Sequence, residues 1–380
     1  MKCIVLIYVF LFSVISLAGQ PVLIKEVSAD RMTRSGFTAD SKHIYVNRSG
    51  LSTVQIFELG SGNEILNYDF KTNCQWRSLP HVEVNKNNGT SLISECCENY
   101  GKTSCQFTQV DLVKGEVKAT KEIRSGTLQV SFDNKNEILR TVSEHSFSEY
   151  NFKTFDSKTL SYRSIFESIF LSDGMSVLIA NPQSSNKKME LYTWPDRIKL
   201  AEFASNVNFG GFNKKMLNIG SRFLVFYKST SGEVFEIIDI AEQKSILPTI
   251  KMNLVTASGS IKEAAFIART YKGYSISKLD GNSGQFKEVA SFENRGTDGN
   301  HTFGFEVVSS AMKTNGNFTL GVAKGWNMKY FAGTYDLNSK LSQFVESDCE
   351  TTNFSFFEPS SDGQYFLCFD ESKVSWSKHF

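Results

Sequence analysis

The stretch FTADSKHIYVNRSGLSTVQIFELGSGNEILNYDF, residues 37–70, decides the fold. A polar turn leads into His43-Ile44-Tyr45-Val46, followed by Val54 to Leu59, a Gly60-Ser61-Gly62 turn, and Glu64 to Tyr68. Short runs of β-branched and aromatic residues separated by turn chemistry predict three strands of one antiparallel unit. A turn before an apolar strand recurs in SFDNKNEILRTV from 131, FLSDGMSVLIA from 170, FNKKMLNIGSRFLVF from 212, GSIKEAAFIA from 259, TNGNFTLGVA from 314 and PSSDGQYFLCF from 359. A second β-rich run closed by a tight turn follows, as in MELYTWPDRIKLAEF and YSISKLDGNSGQFKEVASF. Their turns, Trp194-Pro195-Asp196-Arg197 and Asp280-Gly281-Asn282-Ser283-Gly284, supply the fixed φ of proline and the positive φ of glycine.

From Phe37 to Phe356 seven steps give eight starts about 46 residues apart, the period of a four-stranded repeat unit. No linker rich in Pro, Ser or Gly interrupts the chain, so residues 19–380 read as one repetitive all-β domain. IKEAAFIARTY, 261–271, could locally be helical, because alanine-rich runs are ambiguous by periodicity.

Through HIYVNRSGLSTVQIFELGSGNEI at 43–65 and the SDG turns at 172–174 and 361–363, the chain resembles the β-propeller superfamily, in particular secreted propellers of the YVTN type. The resemblance implies a single propeller of eight four-stranded blades, with seven as the alternative count and a pair of β-sandwiches as the alternative architecture. About three strands follow Phe354, so an N-terminal strand, Val22 to Val27, is expected to pair near Val374 to Ser377 and close the ring.

Blade geometry then orders the cysteines. The start of a first strand, the end of a second and the start of a third meet on the face that carries the blade-to-blade connections. Cys74 precedes a strand at His81 to Val84, Cys96 and Cys97 end the next, and Cys105 begins the third. Cys349 and Cys368 repeat the first relationship. Cys349–Cys368 is therefore expected as a disulfide, with Cys74 and Cys105 taking Cys96 and Cys97 in either order. Zinc is the competing reading, but there is no C-x-x-C, and adjacent Cys96 and Cys97 suit tetrahedral ligation poorly. Gly101-Lys102-Thr103 lacks the upstream glycine of a phosphate loop and reads as a turn.

Lys2, the apolar run Ile4–Phe12 and the small residues Ser16 and Ala18 have the three-part pattern of a secretory signal peptide over residues 1–18. The run is shorter than the roughly 18–20 residues of a membrane span. The mature chain is expected to be secreted or periplasmic, with no further membrane segment. Once Lys2 is removed, the 41 basic residues come into balance with the 40 acidic ones, which gives no electrostatic reason for a nucleic acid or an anionic lipid surface as partner.

No G-x-S-x-G, no H-E-x-x-H and only five histidines occur, so catalytic residues are not identifiable. His81 and Glu83, with Asn208 and Glu306 on other inner strands, could hold a divalent cation in a central channel, which is the basis for a hydrolase alternative. Asp280-Gly281-Asn282 lacks the further ligands of a calcium loop. Sequons at Asn47, Asn88, Asn300, Asn317 and Asn353 match the number that 26 Asn would give by chance. The leading expectation is a monomeric, cofactor-free scaffold for a protein or glycan, with Trp326 at a hairpin tip flanked by Lys324 and Lys329 as contacts.

Overall fold

The computed structural model describes residues 21–379 apart from 31–32, 39–40, 49–52, 71–75, 78–80, 85–89, 100–101, 124–128, 134–135, 144–145, 162–166, 171–175, 181–187, 194–197, 205–213, 220–221, 229–232, 243, 248–251, 260–262, 281–282, 284, 299–300, 314–315, 325–328, 338–341, 351–354 and 371. Every regular element among the described residues is a strand. No helix there is long and apolar enough to cross a membrane.

The strands form eight antiparallel sheets, numbered here 1 to 8 from residue 33 onward, with strands a to d in each. Sheet 1 is a meander of Thr33–Phe37, His43–Arg48, Thr53–Glu58 and Glu64–Asp69, so the three strands read from residues 37–70 are its b, c and d. Sheets 3 to 6 repeat this order. Sheet 8 takes strands a to c from Phe356–Pro359, Tyr365–Phe369 and Lys373–Lys378, and its outermost strand from Val22–Ser28. Val22 lies opposite Lys378 and Val27 opposite Val374, the pairing expected from the sequence.

Two sheets depart from four strands. In sheet 2 the first strand is described as two pieces, Trp76–Arg77 and His81–Val84, both paired with Thr90–Asn99. In sheet 7 the twelve-residue strand His301–Met312 outruns its partner Phe318–Lys324, and its first residues pair instead with Arg295–Asp298.

Among the described residues, apolar clusters join six of the successive pairs of sheets. Leu367, Trp376, Ile44 and Phe57 join sheets 8 and 1, and Ile56, Leu66, Ile93 and Val110 join sheets 1 and 2. Leu92 and Phe107 meet Leu139 and Tyr150 of sheet 3. Phe223 and Val225 meet Phe266 of sheet 6; Tyr274 and Ile276 meet Phe305 and Phe331 of sheet 7; Tyr330 and Ala332 meet Phe357 and Phe366 of sheet 8. Each fully buried large side chain contributes roughly 1.5–3 kcal/mol. Sheets buried on both faces read as continuous apolar runs, which is why Glu263–Arg269, with Ala264 to Ala268 all buried, is a strand and not the helix that its alanines allowed. Face-to-face packing of successive small sheets at these six junctions also sets aside the pair of sandwiches.

Three of the c–d turns share a device. Asp111 Oδ1 accepts the N–H groups of Val113 and Lys114 at 3.0 and 3.2 Å, Asn151 Oδ1 those of Lys153 and Thr154 at 2.8 and 3.1 Å, and Asp239 Oδ1 those of Ala241 and Glu242 at 3.0 and 3.2 Å. The apolar residue that follows each, Leu112, Phe152 and Ile240, folds into the core. Burial pushes the Asp111 carboxyl up, but the Lys114 N–H, the Lys118 ammonium and the Val113 N–H outweigh it and hold the pKa below the usual value. Sequence reading missed this repeat, although Asp-Leu, Asn-Phe and Asp-Ile at these three strand-c ends were there to be read.

Candidate binding face

Because each sheet is an antiparallel meander, b–c hairpins and d-to-a connections lie at one end of the strands, and a–b and c–d turns at the other. The first end carries the expected contact residues. In sheet 7, Lys324 pairs with Lys329 across strands b and c, which places Trp326 in the connection 325–328, outside the described residues. The two lysines are described, and both turn to their own chain. Lys324 Nζ sits 4.8 Å from the Phe303 ring centre and 5.5 Å from that of Phe331, while Lys329 Nζ forms an ion pair with Glu346. A cation over two aromatic faces covers the hairpin Arg295–Asp298/His301–Met312 where it folds against sheet 7.

The adjacent hairpin in sheet 6 supplies an aromatic that sequence reading did not single out. Tyr271 stands at the tip of a turn closed by the Thr270 N–H donating to the Gly273 carbonyl at 2.8 Å, and its side chain is 102% exposed. Gly273 makes the turn possible. Its φ is +150°, and a Cβ there would lie 2.3 Å from the Phe292 carbonyl oxygen. The signal in the sequence was Tyr271-Lys272-Gly273 between two apolar runs. Beside it, Arg269 Nη2 meets Glu306 Oε1 at 2.8 Å, an exposed pair joining sheets 6 and 7.

The residues of the cation reading are not brought together by what is described. Glu306 lies on strand a of sheet 7, as expected, but its carboxylate is engaged by Arg269. His81 and Glu83 are on strand a of sheet 2, opposite Ser94 and Leu92; their side chains, and Asn208 altogether, lie outside the described residues. Among the described residues no three His, Cys, Asp or Glu side chains cluster as metal ligands. One further carboxylate is unusual. Glu358, on strand a of sheet 8, is reached by solvent yet crowded by protein, and this desolvation raises its pKa.

Cys349 and Cys368 form the expected disulfide, with Cα atoms 5.7 Å apart, joining strand d of sheet 7 to strand b of sheet 8. Cys105 is also disulfide-bonded and lies opposite Cys96 in the ladder; Cys74 and the Cys96 and Cys97 side chains are outside the described residues. Asn99 and Lys102 pair directly; Gly101, on which the turn reading falls, lies outside the described residues. Asp280 Oδ1 accepts the Ser283 N–H at 2.8 Å, a turn contact of the kind expected instead of a calcium loop. Asn47 is 2% exposed within its strand and closed to a glycan in the folded chain.

No family model matches the sequence, and no curated protein does. Solved structures do match in shape. The WD40 domain of SCAP from fission yeast superposes with a TM-score of 0.56 at 10% identity, covering 95% of this chain and 94% of that one. The eukaryotic initiation factor gives 0.54 at 11% identity over 88% and 81%. Porphyromonas gingivalis dipeptidyl peptidase 4 gives 0.57 at 10% identity over 93% of this chain but 58% of its own. The chain has a β-propeller fold, and at these identities the likeness reaches no further than the fold.

Proposed function

We propose that the protein is an exported, non-catalytic β-propeller whose eight sheets are blades of a ring closed by Val22–Ser28, and that it binds a protein or glycan through the face bearing the b–c hairpins. The observation that carries this reading is Tyr271. A large aromatic held out in solvent by a tight turn adds little to the core, and tyrosine is among the residues enriched at interface hot spots. Trp326, outside the described residues, belongs to the corresponding b–c connection one sheet further on in the sequence. A WD40 domain among the structural neighbours is consistent with a scaffold role, whereas a peptidase among them means that the fold alone decides nothing about chemistry.

Two measurements test the reading. Intact-mass analysis of protein from the exported fraction should find a chain beginning near Gly19; retention of residues 1–18 would refute a cleaved leader. Glycan arrays and pull-down from native extract should find a ligand that Tyr271→Ala or Trp326→Ala loses with an unchanged melting temperature. Stoichiometric calcium, zinc or manganese in the purified protein would favour the hydrolase instead.

A further inference from the structure

The opposite end of the strands carries a feature that the binding face does not use. At the c–d turns of three successive sheets, a large apolar side chain points outward: Val113 of sheet 2 is 80% exposed, Phe155 of sheet 3 66%, and Ile198 of sheet 4 58%. The corresponding turn of sheet 1 presents Gly60 and Ser61, that of sheet 5 Ala241 and Glu242, and that of sheet 6 Ser283. Phe155 is also conformationally costly. In sheets 1 and 2 the residue that closes this turn by donating to the strand-c end is a left-handed glycine, Gly62 at φ +71° and Gly115 at φ +68°. In sheet 3 the same bond is made by Phe155 at φ +62°, a conformation unfavourable for a bulky residue.

We propose that this end of the molecule docks on a lipid bilayer surface, with Val113, Phe155 and Ile198 entering the interfacial region. The three tips belong to separate sheets. A protein partner requires a contiguous dry core, whereas a bilayer interface accepts each apolar tip independently, with adjacent lysines reaching lipid phosphates. Lys114 follows Val113 and is exposed; Lys153 precedes Phe155 by two residues, is 55% exposed and forms an ion pair with Glu137 at 3.8 Å. The overall charge balance is no objection, because insertion of apolar side chains is the driving term.

The N-terminal strand adds an independent observation. Val22 pairs with Lys378, the last residue of strand c in sheet 8, so the chain enters the fold at this same end, with Val22 59% and Leu23 51% exposed.

The test is co-sedimentation of the exported, leader-free protein with phosphatidylcholine vesicles, and with vesicles of phosphatidylcholine and phosphatidylglycerol. Wild type should bind both, and the anionic vesicles more tightly. Phe155→Gly should melt at or above the wild-type temperature, because glycine suits φ +62°, yet partition roughly tenfold less onto either vesicle. Tyr271→Ala, at the other end, should partition as wild type does. The proposal fails if wild type stays in the supernatant with both vesicles, or if Phe155→Gly binds undiminished, which would reduce any adsorption to charge alone.

Discussion

Trp376 donates its indole Nε1–H to the carbonyl of Leu59 at 3.1 Å, a buried bond across 317 positions of sequence. Its ring also lies 5.4 Å from that of Phe57. Trp376 is in strand c of sheet 8 and Leu59 follows strand c of sheet 1, so one side chain fastens the C-terminal end of the chain to its first complete sheet. Trp376→Ala should therefore cost about 3–5 kcal/mol, measured by chemical denaturation. A loss under 1 kcal/mol would mean that this junction contributes little.

Removal of residues 21–28 takes the outermost strand from sheet 8 and leaves the edge of Lys373–Lys378 unpaired. The truncated protein should melt several degrees lower and aggregate more readily. An unchanged melting curve and unchanged solubility would refute a stabilising role for the strand.

The Cys349–Cys368 disulfide closes a loop with a sequence separation of 19. Replacing both cysteines with alanine should lower stability by about 3 kcal/mol. The informative comparison is the double variant under oxidising conditions against wild type with and without reductant. Three coincident melting curves would refute the expected contribution.

His379 is 1% exposed, and burial lowers its pKa to about 4. The unfolded chain thus takes up a proton on this residue well before the folded one does. The sign follows: the contribution is complete above the ordinary histidine pKa of about 6.5, and falls as pH drops from there toward 4, by on the order of 3 kcal/mol over the whole window. His379→Gln should flatten the loss of stability between pH 6.5 and 4 relative to wild type. Parallel pH profiles would assign the acid sensitivity to other groups.

Gly115 tests the turn geometry from the other direction. A Cβ there would lie 2.7 Å from the Ile65 carbonyl oxygen at a φ of +68°. Gly115→Ala should destabilise by roughly 1–2 kcal/mol from the left-handed backbone alone, with the steric contact adding to it. Equal stability of the two proteins would contradict the turn described.

The strands of residues 37–70, the pairing of the N-terminal strand at Val22 and the Cys349–Cys368 bond were legible because each depends on chemistry close in sequence or on repeat geometry: alternation, turn residues, and cysteines at matching ends of strands. Other features depended on neighbours far away in the chain. Lys324 reads as a free contact beside Trp326 until Phe303 and Phe331 come beneath it, and Glu306 reads as a ligand until Arg269, 37 residues earlier, pairs with it. Asn47 carries a sequon, yet lies in a strand packed between sheets. Sequence determined which segments pair, because strand and turn preferences are local. Tertiary structure decided which side chains remain for a partner, because exposure and charge pairing are set by the adjoining sheet, whose residues no local pattern specifies.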